Sequence, residues 1–205
     1  MKTIAILSQK GGAGKTTLAI NLAVFASRHK KQSAIIDLDP QASAANWHDS
    51  RDLEEPFVIS AQPARLQNVI EAAEDAGANL IFIDTAPHSE SASLAAARIA
   101  DFVLIPCRPA ILDLRAIGNT VDLVKLAGTK AAVILTCVPP SGTLAQEAAE
   151  SVLSYGIQLC PLRIGQRAAF VHSITASQSV NEYEPNGKAA EEIKSLYRWL
   201  IKQLK

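Results

Sequence analysis

The stretch Ser8-Gln9-Lys10-Gly11-Gly12-Ala13-Gly14-Lys15-Thr16-Thr17 decides how this chain folds. An apolar run, residues 4–7, precedes it, and a helical pattern of apolar residues follows it, which is the strand, loop and helix context of a phosphate-binding loop. Its three glycines let the backbone turn N–H groups toward phosphate oxygens in conformations that a side chain would obstruct. The stretch therefore predicts a nucleotide-binding fold.

Two lysines and a hydroxyl give this loop its predicted chemistry. Lys15 is placed to reach the β- and γ-phosphates, and the Thr16 hydroxyl can hold Mg²⁺ beside the positive N-terminus of the following helix. The strict pattern GxxxxGK[ST] requires glycine at position 9, where this chain has Gln9. It has instead a second lysine, Lys10, at the head of KGGxGKTT.

Composition indicates one ordinary α/β domain spanning residues 1–205. Lysine plus arginine and aspartate plus glutamate number 20 each, so the formal net charge of zero indicates neither a nucleic acid nor a membrane partner. The three cysteines are widely spaced, which favours reduced thiols in a cytosolic protein over a disulfide or metal framework. No apolar run approaches membrane-spanning length, and the N-terminus resembles a strand rather than a signal peptide.

Short apolar runs alternate with helical patterns along the whole chain. This alternation predicts a doubly wound, mostly parallel sheet whose ligands bind at the carboxyl ends of the strands. Besides the first strand, we expect strands at residues 33–37, 80–84, 102–106 and 131–136, with weaker candidates at 57–60 and 157–159. We expect helices near residues 42–51, 65–75, 91–100, 113–127 and 143–155, and from 188 to the end.

Acidic residues follow two of these predicted strands. Asp37 and Asp39 lie in IIDLDPQ, and Asp84 lies in LIFIDTAP. An aspartate that ends an apolar strand beside a phosphate-binding loop can hold Mg²⁺ through its water shell, and we assign this role first to Asp84. Of Asp37 and Asp39, one could assist the metal and the other could orient the attacking water. The alternative for all three is that they cap the following helix.

Three ordered motifs, KGGAGKTT, IIDLDPQASAANW and IFIDTAP, together resemble the ParA/MinD family of deviant Walker A ATPases, and the short length is similar to its compact, ParF-like branch. The resemblance covers the whole chain and implies ATP and Mg²⁺ as cofactors. It implies that Lys10 reaches the phosphates of a partner subunit across a nucleotide-sandwich homodimer, and that Lys15 binds phosphate in its own subunit. It implies that Asp39 is critical for hydrolysis, with a second switch at about residues 84–97. The predicted catalytic residues are Lys10, Lys15 and Asp39, the nucleotide-binding residues Lys10, Gly11, Gly12, Ala13, Gly14, Lys15, Thr16 and Thr17, and the metal-binding residues Thr16, Asp37 and Asp84.

The resemblance also implies a positioning function. Such an ATPase dimerises on ATP, binds DNA without sequence preference, and hydrolyses ATP slowly until a cargo-bound, ParB-like activator stimulates it. It would be cytoplasmic and nucleoid-associated, and would partition a plasmid, a chromosome or a protein complex. Because the chain begins directly with its first strand, no helix-turn-helix domain is expected before it. The DNA-binding candidates are Arg163, Arg167, Lys188, Lys194, Arg198 and Lys202, although solvated helix faces would explain these charges equally well.

Other functions on the same fold stay open. The last helix carries an apolar stripe and basic residues, so it could lie in a membrane interface as in MinD relatives, but packing against the sheet is the favoured interpretation. An iron–sulfur scaffold would need cluster cysteines, and a metabolic enzyme of the dethiobiotin synthetase kind would need its own acid–base groups. The four histidines form no persuasive set for that purpose, and His88 fits a surface turn better than a contact to the second switch.

Three later motifs carry weaker signals. Residues 105–113 resemble the proline-containing turn that leads into an interface helix, but an ordinary strand-to-helix turn would look the same. Residues 135–140 lack the asparagine with which the family commonly meets adenine, so the contacts to the base stay open. Residues 163–167 resemble a stretch that leads toward the nucleotide and DNA faces.

Overall fold

The computed structural model describes residues 1–205. Its seven strands form one sheet in the order β3-β2-β4-β1-β5-β6-β7, and every neighbouring pair is parallel. The strands are β1 Lys2–Ile6, β2 Ser33–Asp37, β3 Phe57–Ser60, β4 Leu80–Asp84, β5 Phe102–Cys107, β6 Ala131–Val138 and β7 Gln158–Gly165. The helices are α1 Lys15–Arg28, α2 Ser43–Asp49, α3 Leu66–Asp75, α4 Glu90–Ile99, α5 Ile111–Ala127, α6 Leu144–Ser154, α7 Ala168–Thr175, α8 Val180–Tyr183 and α9 Lys188–Gln203, and a short 3₁₀ turn, Pro63–Arg65, precedes α3.

The sheet is covered by helices on both faces. Strands β2 and β4 are buried at every residue, as expected of parallel strands rich in isoleucine and leucine. One core cluster joins α1, α2, α8 and α9 to the face that carries Ile4 and Phe82. A second cluster joins α3, α4, α5 and α6 to the face that carries Ala5 and Ile83. The predicted doubly wound α/β fold is confirmed.

The element predictions differ from the structure mainly after residue 157. The weak strand candidate at residues 57–60 is an edge strand, β3, and the candidate at 157–159 lengthens to Gln158–Gly165. Helices α7 and α8 were not predicted. They have eight and four residues, which is too short for a helical period to stand out from the sequence.

The last helix packs against the sheet through its apolar stripe. Ile193, Leu196 and Leu200 are fully buried, and the Trp199 ring meets the Phe102 ring edge-on with centroids 5.8 Å apart. The preferred interpretation of this stripe, packing against the core, is confirmed. Separately, no helix in the chain has both the length and the hydropathy that a bilayer crossing requires.

The parallel register brings the predicted functional residues to one edge. Asp84 is level with Asp37 on one side and with Ile6, the last residue of β1, on the other. The loop after β1 therefore lies beside the end of β4, and the end of β2 lies one strand further along the same edge. The sequence predicted this shared edge.

Candidate nucleotide-binding site

The loop between β1 and α1 forms a cradle of backbone groups. Gly12 and Gly14 adopt left-handed conformations, with φ of 73° and 95°, and α1 begins immediately after Gly14 at Lys15. The first N–H groups of a helix have no partner inside it, so they are available to an anion. The positive φ favours glycine at position 12, and a Cβ atom there would also lie 2.9 Å from Nη2 of Arg108, whose side chain would have to move.

The cradle is tied to its surroundings by side chains. Ala13 is buried, and its carbonyl accepts a 2.9 Å hydrogen bond from the Thr136 hydroxyl at the end of β6. Gly11 is exposed with open space beside it, and the Thr17 carbonyl accepts a 2.7 Å bond from Asn21 in the next turn of α1. The bond from Thr136 connects the loop to the end of β6, whereas the bond from Asn21 lies within α1.

Lys15 is the first residue of α1, and its side chain contacts the loop that precedes it. Its side chain is buried, and its ammonium donates to the Lys10 carbonyl at 3.4 Å. Burial lowers the pKa of Lys15, and the carboxylates of Asp84 and Asp39 oppose that shift. The ammonium therefore lies in an acidic environment that an incoming phosphate would share.

Lys10, the extra lysine, has no partner for its ammonium in this chain. It is half-buried, forms no ion pair, and lines a small hollow with Pro106, Cys107 and Asp113 near the start of α5. The Lys10 side chain forms no hydrogen bond with the loop of its own subunit.

Asp84 is a buried carboxylate whose oxygens accept no hydrogen bond of good geometry, although the Thr16 hydroxyl lies near enough to act on its pKa. It has no exposed surface, and neither of its oxygens has a partner. Burial raises the pKa of Asp84 to about 7, although the nearby Thr16 hydroxyl and Lys15 ammonium pull it down. An orphaned carboxylate beside a threonine hydroxyl fits Mg²⁺. No group of three or more His, Cys, Asp or Glu side chains is arranged as a metal site, and Mg²⁺ bound with phosphates and water needs only one or two protein ligands.

Asp37 differs, because the backbone already occupies its oxygens. It accepts hydrogen bonds from the N–H groups of Asp39 at 3.0 Å, Ala44 at 3.0 Å and Ala45 at 3.3 Å. It thus caps α2, the alternative that the sequence left open. Burial raises the pKa of Asp37 despite these bonds. Its predicted part in binding the metal stays a prediction.

Asp39 lies in the turn that follows β2. It is half-buried, and its Oδ1 accepts a 2.9 Å bond from the Gln41 N–H. The structure brings this carboxylate close enough to Lys15 to act on its pKa. Asp39, Lys15, Asp84 and Thr16 therefore form one group around the cradle.

A cleft of about 550 Å³ extends from the cradle toward β7. This size is typical of a small-molecule site. Its far wall belongs to α7, and its rim to the irregular last residues of β6, where Cys137 has a left-handed φ of 51°. The cleft is lined by Gly12, Gly14, Thr17, Leu18, Arg108, Thr136, Cys137, Ile164, Gly165, Gln166, Arg167, Phe170, Val171, Ile174 and Thr175.

Sequence reasoning missed two parts of this cleft. Arg108 follows β5 at the carboxyl edge and lies over Gly12, a position that the strand prediction itself could have indicated. The α7 wall had no such signal, because α7 was not predicted. A larger groove of about 650 Å³, between β3 and α3, contains none of the predicted site residues.

The six DNA-binding candidates fall into two groups. Arg167 is paired with Glu192, and Lys194 with Glu191 at 2.9 Å. The other four are exposed and unpaired: Arg163, Lys188, Arg198 and Lys202. The structure thus places all six on the side of β7, α7 and α9, and it does not test their role.

Comparison with known protein families identifies one domain. The model of the CobQ/CobB/MinD/ParA nucleotide-binding domain matches residues 4–187. The Gloeobacter kilaueensis protein "Maintenance of carboxysome distribution protein A" is 34% identical, with 99% of this chain and 94% of that protein covered. Its namesake from Halothiobacillus neapolitanus is 26% identical over 97% and 96% of the two chains. The chromosome-partitioning ATPase Soj of Thermus thermophilus matches 22% of this chain and 18% of its own length at 50% identity.

Solved structures share the fold. Cyanothece McdA without nucleotide superposes with a TM-score of 0.79 at 18% identity, covering 95% of this chain and 98% of that one. The septum site-determining protein MinD of Pyrococcus horikoshii, solved with Mg-ADP, gives a TM-score of 0.80 at 19% identity, with coverage of 97% and 95%.

Proposed function

The chain belongs to the CobQ/CobB/MinD/ParA nucleotide-binding family, and we propose that it is a ParA-like ATPase that positions a cargo. In this proposal it binds Mg²⁺ and ATP, pairs with a second copy, binds DNA without sequence preference, and leaves the DNA after hydrolysis. The protein would be cytoplasmic and nucleoid-associated. Its nucleotide state would set its oligomeric state, so slow hydrolysis would act as a timer.

The carboxyl edge of the sheet supports binding of Mg²⁺ and ATP. Lys15 and the backbone cradle would hold the phosphates, with Thr16 and the unpartnered Asp84 on the metal. When bound, Mg²⁺ would neutralise charge that develops on the phosphates. Asp39 would orient the attacking water. Phosphoryl transfer depends mostly on such positioning and charge, so few further groups are needed.

Lys10 is the single observation that carries the dimer. Lys10 is half-buried at the head of the cradle and its ammonium is unpaired, as expected of a lysine that contacts another subunit. Close by, α5 begins with two exposed apolar side chains, Ile111 at 62% and Leu112 at 63%. Exposed apolar residues beside an unpaired cation suit a surface that a second copy covers.

DNA binding is supported by the four exposed, unpaired cations near β7 and α9. Each is worth little alone, but a dimer would present two sets and so gain affinity. The whole-length relatives maintain the distribution of carboxysomes, and another relative partitions chromosomes, so we propose the class of function and not the cargo. A cargo-bound, ParB-like activator would supply that specificity.

The first test measures binding of the purified protein to non-specific DNA and to anionic vesicles, each with ADP, ATP and a slowly hydrolysed ATP analogue. We expect DNA binding with the triphosphates only, and dimers under the same conditions by sedimentation. Vesicle binding without DNA binding would replace this proposal with a MinD-like membrane function.

Two variants separate dimerisation from hydrolysis. Lys10→Ala should bind ATP as a monomer and lose hydrolysis, whereas Asp39→Ala should dimerise with ATP and stay on DNA. Lys15→Ala, which should lose all nucleotide-dependent behaviour, is the reference. A Lys10→Ala protein that dimerises and hydrolyses ATP like the wild type would refute the role across the interface, and normal hydrolysis by Asp39→Ala would refute the catalytic assignment.

A further inference from the structure

One ion pair joins the nucleotide cleft to the basic surface beside it. Arg167 donates to Glu192 Oε1 from Nε at 2.9 Å and from Nη2 at 2.5 Å. The Gly165 N–H donates to Glu192 Oε2 at 3.1 Å. Both oxygens of this α9 carboxylate therefore hold the end of β7 and the residue that precedes α7.

Arg167 lies between three hollows. It contributes to the nucleotide cleft and to two smaller hollows, of about 230 and 270 Å³, on the outer side of β7 and α9. Arg163 and Glu192 line both outer hollows, and Lys188 lines the second. The Arg167–Glu192 pair thus separates the cleft from a surface that already carries two exposed cations.

The pair changes what this surface can bind. Arg163 and Lys188 have no ion-pair partner, whereas hydrogen bonds to Glu192 raise the pKa of Arg167 and engage its guanidinium. A phosphate that bound the Nε and Nη2 edge of Arg167 would first have to displace two charge-assisted hydrogen bonds, and one that approached Nη1 would meet the negative charge of Glu192. While Arg167 is bound to Glu192, the second outer hollow has two free cations, Arg163 and Lys188. When that ion pair is broken, Arg167 becomes the third.

We propose that Glu192 is a positioning residue that withholds Arg167 from nucleic-acid phosphates, so that Arg163, Arg167 and Lys188 form a three-cation phosphate site only when the pair opens. This inference rests on the proposed DNA binding. Gly165 and Arg167 also line the nucleotide cleft, so a nucleotide that shifts this segment would shift Arg167 with it.

The test is Glu192→Gln, which keeps the shape and one acceptor for the Gly165 N–H but loses the charge that holds Arg167. Binding to a short duplex of arbitrary sequence is measured with a slowly hydrolysed ATP analogue at several salt concentrations. We expect affinity to rise about tenfold, and the slope of log K against log salt to steepen by about 0.9 for each Arg167 that gains a phosphate contact, or about 1.8 when both subunits of a dimer bind. In an Arg167→Ala background, Glu192→Gln should change neither quantity.

Glu191→Gln is the matched control. It removes the same charge from the neighbouring residue, which pairs with Lys194 and not with Arg167. The effect of Glu191→Gln on DNA affinity and on the salt slope should be the same with and without Arg167→Ala. A wild-type slope in Glu192→Gln, or an equal gain in the Arg167→Ala background, would overturn the proposal.

Two further outcomes also overturn it. Weaker nucleotide binding by Glu192→Gln at an unchanged DNA slope would show that Glu192 serves the cleft alone. A wild-type protein that binds no DNA with any nucleotide would refute the proposed DNA binding, and the role of Glu192 with it. Failure of Glu192→Gln alone, beside a wild type that binds DNA, leaves the proposed function standing.

Discussion

Asp84 and Glu182 are both carboxylates in buried surroundings, but they differ in whether their oxygens accept hydrogen bonds. Both Asp84 oxygens lack partners, and burial raises its pKa to about 7. Glu182 accepts bonds of 2.8 and 3.0 Å from Arg51 and 2.7 Å from the Ser179 N–H. Burial alone would raise the pKa of Glu182, but these bonds hold it below its ordinary value.

The difference indicates that Glu182 stabilises the fold, whereas Asp84 is available to bind a ligand. The Arg51–Glu182 pair joins the segment just after α2 to α8, and the Arg51 guanidinium carbon lies 4.4 Å from the centre of the Trp47 ring. Both Glu182 oxygens accept and both Arg51 Nη atoms donate, so only Arg51 Nε lacks a partner and the pair stabilises the fold without a ligand. An unpaired buried carboxylate costs free energy, and a cation with its water shell would recover that cost at the carboxyl edge.

The largest expected effect separates activity from stability at Asp84. Asp84→Asn should slow Mg²⁺-dependent ATP hydrolysis about 1,000-fold, which corresponds to about 4 kcal/mol, because the metal loses its carboxylate. The free energy of unfolding without nucleotide should not fall, because the substitution removes an unpaired buried charge. Turnover assays and denaturant unfolding measure the two quantities. Destabilisation by more than about 1 kcal/mol would contradict the comparison.

Glu182→Gln should show the opposite pattern. We expect it to reduce the free energy of unfolding by about 3 kcal/mol, because Arg51, only 2% exposed, would keep its charge without a counter-ion. ATP hydrolysis by the remaining folded protein should stay within about twofold of the wild type. Urea unfolding monitored by the fluorescence of the two tryptophans, Trp47 and Trp199, measures the loss. A neutral result would show that the pair is replaceable.

Asp37→Ala lies between these two cases. Three backbone N–H groups would lose their acceptor, so we expect the free energy of unfolding to fall by about 2 kcal/mol. Ser43→Ala, in the first turn of α2, makes no such bond and serves as the control. If Asp37→Ala instead abolished Mg²⁺-dependent nucleotide binding while leaving stability intact, the predicted metal role of Asp37 would prevail over its capping role.

The smallest effect is a pH dependence of the Glu182 contribution. Because the pKa of Glu182 is lower in the folded than in the unfolded chain, the unfolded chain binds more protons between these two values, and stability rises with pH there. The difference in unfolding free energy between wild type and Glu182→Gln should be full above about pH 4.5 and narrow as the pH falls through the folded-state pKa. A gap that widened on acidification would have the wrong sign.

Much of the fold could be predicted because its signals are local. Buried parallel strands are continuous apolar runs, and glycines with a following helix mark the phosphate loop, so β1, β2, β4 and the cradle followed from short windows. Helices α7 and α8 gave no such signal. Their position depends on contacts with distant residues, such as the 2.8 Å bond from the Val180 N–H to Asn21 in α1.

The site divides in the same way. Residue type and position near strand ends were enough to predict, from the sequence, that Lys15, Asp37, Asp39 and Asp84 lie at one edge of the sheet. The sequence favoured Asp84 over Asp37 for the metal, but it could not show that backbone N–H groups already occupy Asp37, because both residues end apolar strands in the same register. Nor could it place Arg108 over Gly12, or pair Arg167 with Glu192 across 25 residues.

By itself, therefore, the sequence determined the parallel α/β fold, the phosphate loop and the set of charged residues at the carboxyl edge, because periodicity and motif spacing are properties of neighbouring residues. Only the tertiary structure decided which of those charges is already satisfied. Asp37 is satisfied by the backbone of α2, Glu182 by Arg51, and Arg167 by Glu192, whereas Asp84 and Lys10 are left without partners. Hydrogen bonding depends on distance and burial in three dimensions, and a one-dimensional pattern contains neither.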